Sequence, residues 1–190
     1  MRQHKTICVL AAIICVLSMA GCGSTKPTTP PGNSQSPAAH APEPARATPS
    51  VSAKLICAHD TQNELAAVLG VHTTKPVVPT WARASHLYSC HYTYRNGVIA
   101  LSLKELSSKT ETDAYFTSLA RRLGQTQRPL ALGQGIYFPT KNGSAVVRKD
   151  YKVLLVDISG LPAQFGAPPF NRANIALTVA ATILDCWTGA

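Results

Sequence analysis

The segment from Tyr88 to Leu106 constrains the fold more than any other part of the chain. Apolar and polar residues alternate from Tyr88 to Tyr94 and again from Val98 to Leu106, and Asn96-Gly97 interrupts them. Alternation with period two marks a strand with one buried face, and Asn-Gly between two such runs marks a tight type I′ hairpin. A two-residue turn at Asn96-Gly97 opposes Arg95 to Val98, Tyr94 to Ile99, Tyr92 to Leu101 and Cys90 to Leu103. Cys90, Tyr92, Tyr94, Ile99, Leu101 and Leu103 then share one face, and Ser89, His91, Thr93, Ala100, Ser102 and Lys104 the other. The three tyrosines Tyr88, Tyr92 and Tyr94 read as core packing before a sugar platform.

Other elements follow from spacing. Thr61 and Glu64 are placed as a capping box for a helix that starts near Asp60 and ends at Gly70. Residues 71–85 hold Pro76 and Pro79 and read as a loop that Trp81 ties to the core. A second helix follows Thr110 as its cap, with Phe116, Leu119, Ala120 and Leu123 inward and Gly124 at its end. Three short strands come next, Ile136–Phe138, Ala145–Arg148 and Lys152–Ile158, with turns at Asn142-Gly143 and Asp150-Tyr151. Their count aligns Phe138, Val147 and Leu154, and also Ala145 and Val156. Pro139 has no amide hydrogen and ends its strand or holds it at an edge. After a Pro/Gly loop over 161–169, Asn171 caps a last helix through Cys186, with Ile175, Val179, Ile183 and Trp187 inward. The order is α-β-β-α-β-β-β-α, an α+β fold: an antiparallel sheet of about five strands from two hairpin units, with three packed helices.

The chain has 190 residues, and this core occupies only 53–190. Residues 1–21 read as a lipoprotein signal peptide: a basic head (Arg2, Lys5), an apolar run from Ile7 to Leu17, and small residues before a cut site. That run is shorter than the roughly 18 residues a membrane-spanning helix needs. Met19-Ala20-Gly21-Cys22 resembles a bacterial lipobox, which implies cleavage after Gly21 and diacylglyceryl attachment to the Cys22 thiol. Two acyl chains suffice for stable anchoring. Residues 22–52 then form a tether with seven of the chain's 14 prolines, a composition that favours extended, coreless chain. Residues 53–190 are a single extracytoplasmic domain.

The segments Leu130-Ala131-Leu132-Gly133-Gln134-Gly135-Ile136-Tyr137 and Ala145–Val156 resemble the uncharacterised actinobacterial lipoproteins that carry a lipobox, a Pro/Ser/Thr tether and a domain of unknown function. The domain is also distantly similar to the extracellular sensor domains of receptor kinases. The resemblance implies an envelope protein that binds or supports something, with an early Cys before a helix and a second on a strand. Gln134 stands where an acidic residue is expected, and Cys186 is an additional thiol. The resemblance supplies no catalytic residue.

Of six cysteines, Cys8 and Cys15 leave with the signal, Cys22 takes lipid, and Cys57, Cys90 and Cys186 remain in an oxidising compartment. Cys90 points to the face that the helix after Cys57 covers, so Cys57–Cys90 is the expected disulfide. Cys57–Cys186 is the alternative, and the leftover thiol is buried beside Trp187 or pairs between chains. Reduced, Cys57, His59, His86, Cys90 and His91 are the candidate metal ligands. Adjacent Cys90 and His91 point to opposite faces of a strand, however, so no metal site is expected.

No nucleophile elbow, zinc motif or phosphate loop is present. Asp157, His91 and Ser102 are the triad types that the fold could assemble; no catalytic residue and no cofactor is assigned. Residues 53–190 carry 14 Lys+Arg against 8 Asp+Glu, which suits anionic envelope polymers or another envelope protein. The basic residues are scattered, and nucleic acid is not an expected partner. The expected role is a membrane-anchored envelope lipoprotein that binds, senses or scaffolds, lipid-anchored on the extracytoplasmic side. The alternatives are a cell-wall hydrolase or a metal-binding lipoprotein.

Overall fold

The structure, a computed structural model, describes residues 45–128, 135–139 and 143–188. The signal peptide, Cys22 and most of the tether lie outside these residues, as do Gln134 and Asn142.

In chain order the elements are α1 (Val51–Leu55), α2 (His59–Leu69), β1 (Thr80–Ala82), a 3-10 turn (Arg83–Ser85), β2 (Leu87–Tyr94), β3 (Gly97–Glu105) and α3 (Lys109–Arg122). They continue with β4 (Gln125–Arg128), β5 (Ile136–Pro139), β6 (Ala145–Lys149), β7 (Lys152–Asp157), β8 (Gln164–Phe165), β9 (Phe170–Asn171) and α4 (Arg172–Thr188). The fold is α+β. One antiparallel sheet runs β1-β2-β3-β7-β6-β5-β4, and β8 and β9 make a separate ribbon. The five expected strands are all present. A short strand is added at each edge, β1 beside β2 and β4 beside β5, and Pro139 ends β5.

Alternation sorts the sheet residues to two faces. The inner face carries Tyr92, Ile99, Leu101, Leu103, Leu154 and Val156, all at most 1% exposed, and α1, α2 and α4 cover it. Leu65 and Leu69 of α2 and Ile175, Val179, Ile183 and Trp187 of α4 complete that core. Each such large apolar side chain contributes roughly 1.5–3 kcal/mol on burial. On the outer face α3 sets Phe116 and Leu119 against Leu106, Val146 and Val153.

Register departs from the count in the first hairpin. The partners are Tyr94↔Gly97, Tyr92↔Ile99, Cys90↔Leu101 and Tyr88↔Leu103, so Arg95 and Asn96 form the connection and Gly97 opens β3. Neither Arg95 nor Asn96 has positive φ, so the turn is not type I′. The cause is tertiary. A Cβ on Gly97 would lie 2.7 Å from the Gly160 carbonyl oxygen and 2.9 Å from Leu161 Cδ2. Gly97 is needed for close approach of the chain after β7, not for turning. Because the slip is two residues, every side chain keeps its expected face.

The later strands pair Val147↔Leu154 and Ala145↔Val156 as expected, with Asp150 and Tyr151 between Lys149 and Lys152. Ile136, not Phe138, opposes Val147.

Helix ends depart where side-chain caps compete. α2 starts at His59 with Ala58 as an uncapped N-cap, and Thr61 donates its hydroxyl to the Leu55 carbonyl instead, 2.6 Å away. No Thr61–Glu64 capping box forms. Gly70 takes the expected left-handed conformation, φ 66°, at the end of α2. α3 is capped by Ser108, not Thr110: the Ser108 hydroxyl accepts from Glu111 N at 3.2 Å, and Glu111 Oε2 accepts from Ser107 N at 2.9 Å. Leu123 is 38% exposed and lies outside the α3 stripe. Asn171 Oδ1 caps α4 through Asn174 N at 3.0 Å, as expected.

The folded part begins before residue 53. Residues 45–50 bond to the sheet end and Ser50 caps α1, so 45–52, read as tether from composition, belong to the domain's body.

Candidate functional site

α3 covers only part of the outer face. Arg148 of β6 is ion-paired with Asp113 of α3 and lies over the Phe116 ring, and Lys104 of β3 lies 5.8 Å from the centre of the Tyr115 ring. Beyond Tyr115 the outer face of β2 and the first half of β3 stay open. Their residues are small or polar, Ser89, His91, Thr93, Ala100 and Ser102, so they offer little apolar area to hold a helix.

A depression of about 270 Å³ lies on this open surface, lined by His91, Thr93, Val98, Ala100, Asp157, Ser159 and Gly160. Strand register builds it: His91 opposes Ala100, and Ala100 opposes Asp157. The Ala100 methyl leaves the floor low between the taller His91 and Asp157. Gly160 closes one end, its carbonyl accepting from Val98 N at 3.3 Å. Asp157 is held in place, its Oδ1 accepting from the Ser144 hydroxyl at 3.0 Å and from Ser159 N at 2.9 Å.

The structure brings His91 and Asp157 to one depression, with Ser102 one step along the same face. They do not form a relay. His91 and Asp157 sit two strands apart, about 9–10 Å between backbones. Among the described residues no hydrogen bond joins His91, Ser102 and Asp157 to one another.

Cys57 and Cys90 form a disulfide, with Cα atoms 6.0 Å apart. Cys186 is a buried thiol that donates to Glu64 Oε2 at 3.2 Å. The bridge consumes both thiols of the candidate metal set. The histidines are dispersed: His59 Nδ1 meets Asn63 Nδ2 at 3.1 Å, His86 Nδ1 bonds the Arg46 carbonyl at 2.9 Å, and His91 lies on the other face from Cys90. Among the described residues no group of three His, Cys, Asp or Glu side chains is placed to hold a metal ion.

The tyrosines of β2 are core. Tyr92 donates its hydroxyl to the Ile56 carbonyl at 2.7 Å, and Tyr94 packs edge-on against Phe165, with ring centres 5.0 Å apart. Burial pushes the Tyr94 hydroxyl up to about 12. It also raises Tyr92, to which charge on neighbouring Tyr94 adds.

Sequence reasoning found the polar face of the hairpin but not the depression. Ser159 and Gly160 come from a loop whose approach depends on the pairing of β3 with β7, and no local signal carries that pairing. Comparison with known protein families, curated proteins and solved structures finds no match for this chain.

Proposed function

We propose that this chain is a lipid-anchored protein of the cell envelope, attached through Cys22, whose extracytoplasmic domain binds, senses or scaffolds rather than catalyses. The Cys57–Cys90 bridge is the observation that carries the reading. Disulfides persist in oxidising compartments and are rare in the cytosol. The basic head, apolar run and Met19-Ala20-Gly21-Cys22 supply the route to such a compartment. Among the described residues no helix is long and apolar enough to cross a membrane, and the lipid at Cys22 would be the attachment.

The binding part of the reading rests on the open surface of β2 and β3. Ala45, the first described residue, donates its amide to Leu106 O just past the end of β3, while Val98 and Ala100 of the depression lie at the start of that strand. Six to eight residue steps separate the two, about 20–27 Å at 3.4 Å each. The depression thus lies at the opposite end of β3 from Ala45. The excess of basic residues in 53–190 favours an anionic envelope polymer as ligand.

Two experiments test the reading. Labelled palmitate is incorporated into the wild-type chain and not into Cys22→Ala, and alkylation in intact cells finds Cys57 and Cys90 protected. Absence of label together with free thiols at 57 and 90 overturns the anchor. Co-sedimentation with anionic wall polymer is retained by the wild type and lost in Ala100→Trp, which fills the depression. Equal sedimentation of the two overturns the depression as the binding surface.

A further inference from the structure

The junction between tether and domain is held by a short series of bonds. Ala45 N donates to Leu106 O at 3.1 Å. The Arg46 carbonyl accepts from His86 Nδ1 at 2.9 Å, and the Ala47 carbonyl accepts from Trp81 Nε1 at 3.2 Å. Ser50 N donates to Glu105 Oε1 at 3.1 Å. Trp81 and His86 brace each other edge-on, with ring centres 5.9 Å apart, and Trp81 also meets Tyr88 at 6.4 Å. No residue from 45 to 50 is buried. From residue 53 the character changes: Ala53 and Ile56 are fully buried, and Cys57 is bonded covalently to β2.

We propose that residues 45–50 are a releasable strap that peels from the sheet end under a pull on the tether, and that the Cys57–Cys90 bridge is the stop. Among the described residues, tension entering from the N-terminal side loads the bond at Ala45 first, then those at Arg46, Ala47 and Ser50, each on a different partner. Bonds loaded in series break one at a time, and segments with exposed hydrogen bonds and little buried surface open at the low end of a protein's stability range. Six released residues add about 20 Å of extended chain. Release also frees the Trp81 indole nitrogen. Peeling does not pass Cys57, because its sulfur holds that point to the middle of β2. That the strap continues into a membrane tether rests on the reading above; its closed and open states do not.

Trypsin reads the strap directly, because Arg46 lies within it and Lys54 lies between it and the stop. In the purified chain with its disulfide intact, the Arg46–Ala47 bond is cut at least about tenfold more slowly than in a peptide of residues 40–52, the closed strap being the major state. Trp81→Phe keeps an aromatic ring and removes the indole donor; His86→Ala removes the other. Each raises cleavage at Arg46 about fivefold, the effect of one lost hydrogen bond on a local opening equilibrium. Lys54–Leu55 stays protected in both variants. Cleavage of wild-type Arg46 at the peptide's rate, or protection that neither variant moves, overturns the strap. Cleavage at Lys54 as fast as at Arg46 with the bridge intact means that α1 opens together with residues 45–50, and overturns the strap as a separate unit. The assay involves no lipid, so it fails or succeeds independently of the anchor.

Discussion

Cys57, two residues after α1, is bonded to Cys90 in the middle of β2 across a sequence separation of 33. Tyr92, two residues from Cys90, ties β2 to the residue before Cys57 a second time, through the Ile56 carbonyl. The covalent and polar links converge where the helical layer meets the sheet.

The bridge restricts the unfolded chain, which for a loop of this length corresponds to roughly 3–4 kcal/mol. Cys57→Ala with Cys90→Ala should lower stability by about that amount. Urea unfolding of the double variant beside the oxidised wild type measures it; coincident midpoints would show that the bridge does not support the fold.

Tyr92→Phe leaves the Ile56 carbonyl without its hydroxyl donor at a buried position. The expected loss is about 1–2 kcal/mol, in the range for a buried polar group losing a partner. Thermal unfolding with the disulfide intact reads it, and a loss below about 0.3 kcal/mol contradicts the geometry.

Alkaline pH acts through the same strand. The folded state holds Tyr94 up to about 12, and Tyr92 is raised as well, against an ordinary value of 10.0. Above pH 10 the unfolded chain therefore binds fewer protons than the folded one, and stability falls as pH rises. The contribution is complete below pH 10 and is lost as pH climbs through 12. Tyrosinate absorbance should show Tyr92 and Tyr94 ionising late and together with loss of the fold. Their titration near pH 10 in a folded protein would refute the burial argument.

The hairpin connection separates two neighbours. Gly97→Ala places a methyl against the Gly160 carbonyl and Leu161, and should cost about 1–3 kcal/mol, as overpacking does. Asn96→Ala should be within about 0.5 kcal/mol of neutral, since Asn96 does not take positive φ. A type I′ turn at Asn96-Gly97 would make both substitutions harmful, so measuring the pair decides the register.

The α3 cap gives a parallel contrast. Ser108→Ala removes the acceptor for Glu111 N and should cost about 1 kcal/mol, while Thr110→Ala, inside the first turn, should cost little. Chemical denaturation of the two variants ranks the caps, and equal losses would place the helix start elsewhere.

The sequence by itself determined which side chains are buried and which element type carries them. Period-two alternation assigned Cys90, Tyr92, Ile99 and Leu101 to the core, and the spacing of Ile175, Val179, Ile183 and Trp187 did the same for α4. Those faces are the same in either register, because a slip of two residues preserves face. The disulfide was legible for the same reason: Cys90 faces the layer that follows Cys57. Contacts between remote segments set the sheet order, the packing of 45–50 onto the sheet end, and the depression beside Ala100. Each depends on groups far apart in sequence: Gly97 against Gly160, Ala45 against Leu106, Ala100 against Asp157. A local pattern records how a residue is solvated but not which distant strand or carbonyl it meets. Sterics and hydrogen bonding between remote segments settle that only once the sheet has closed.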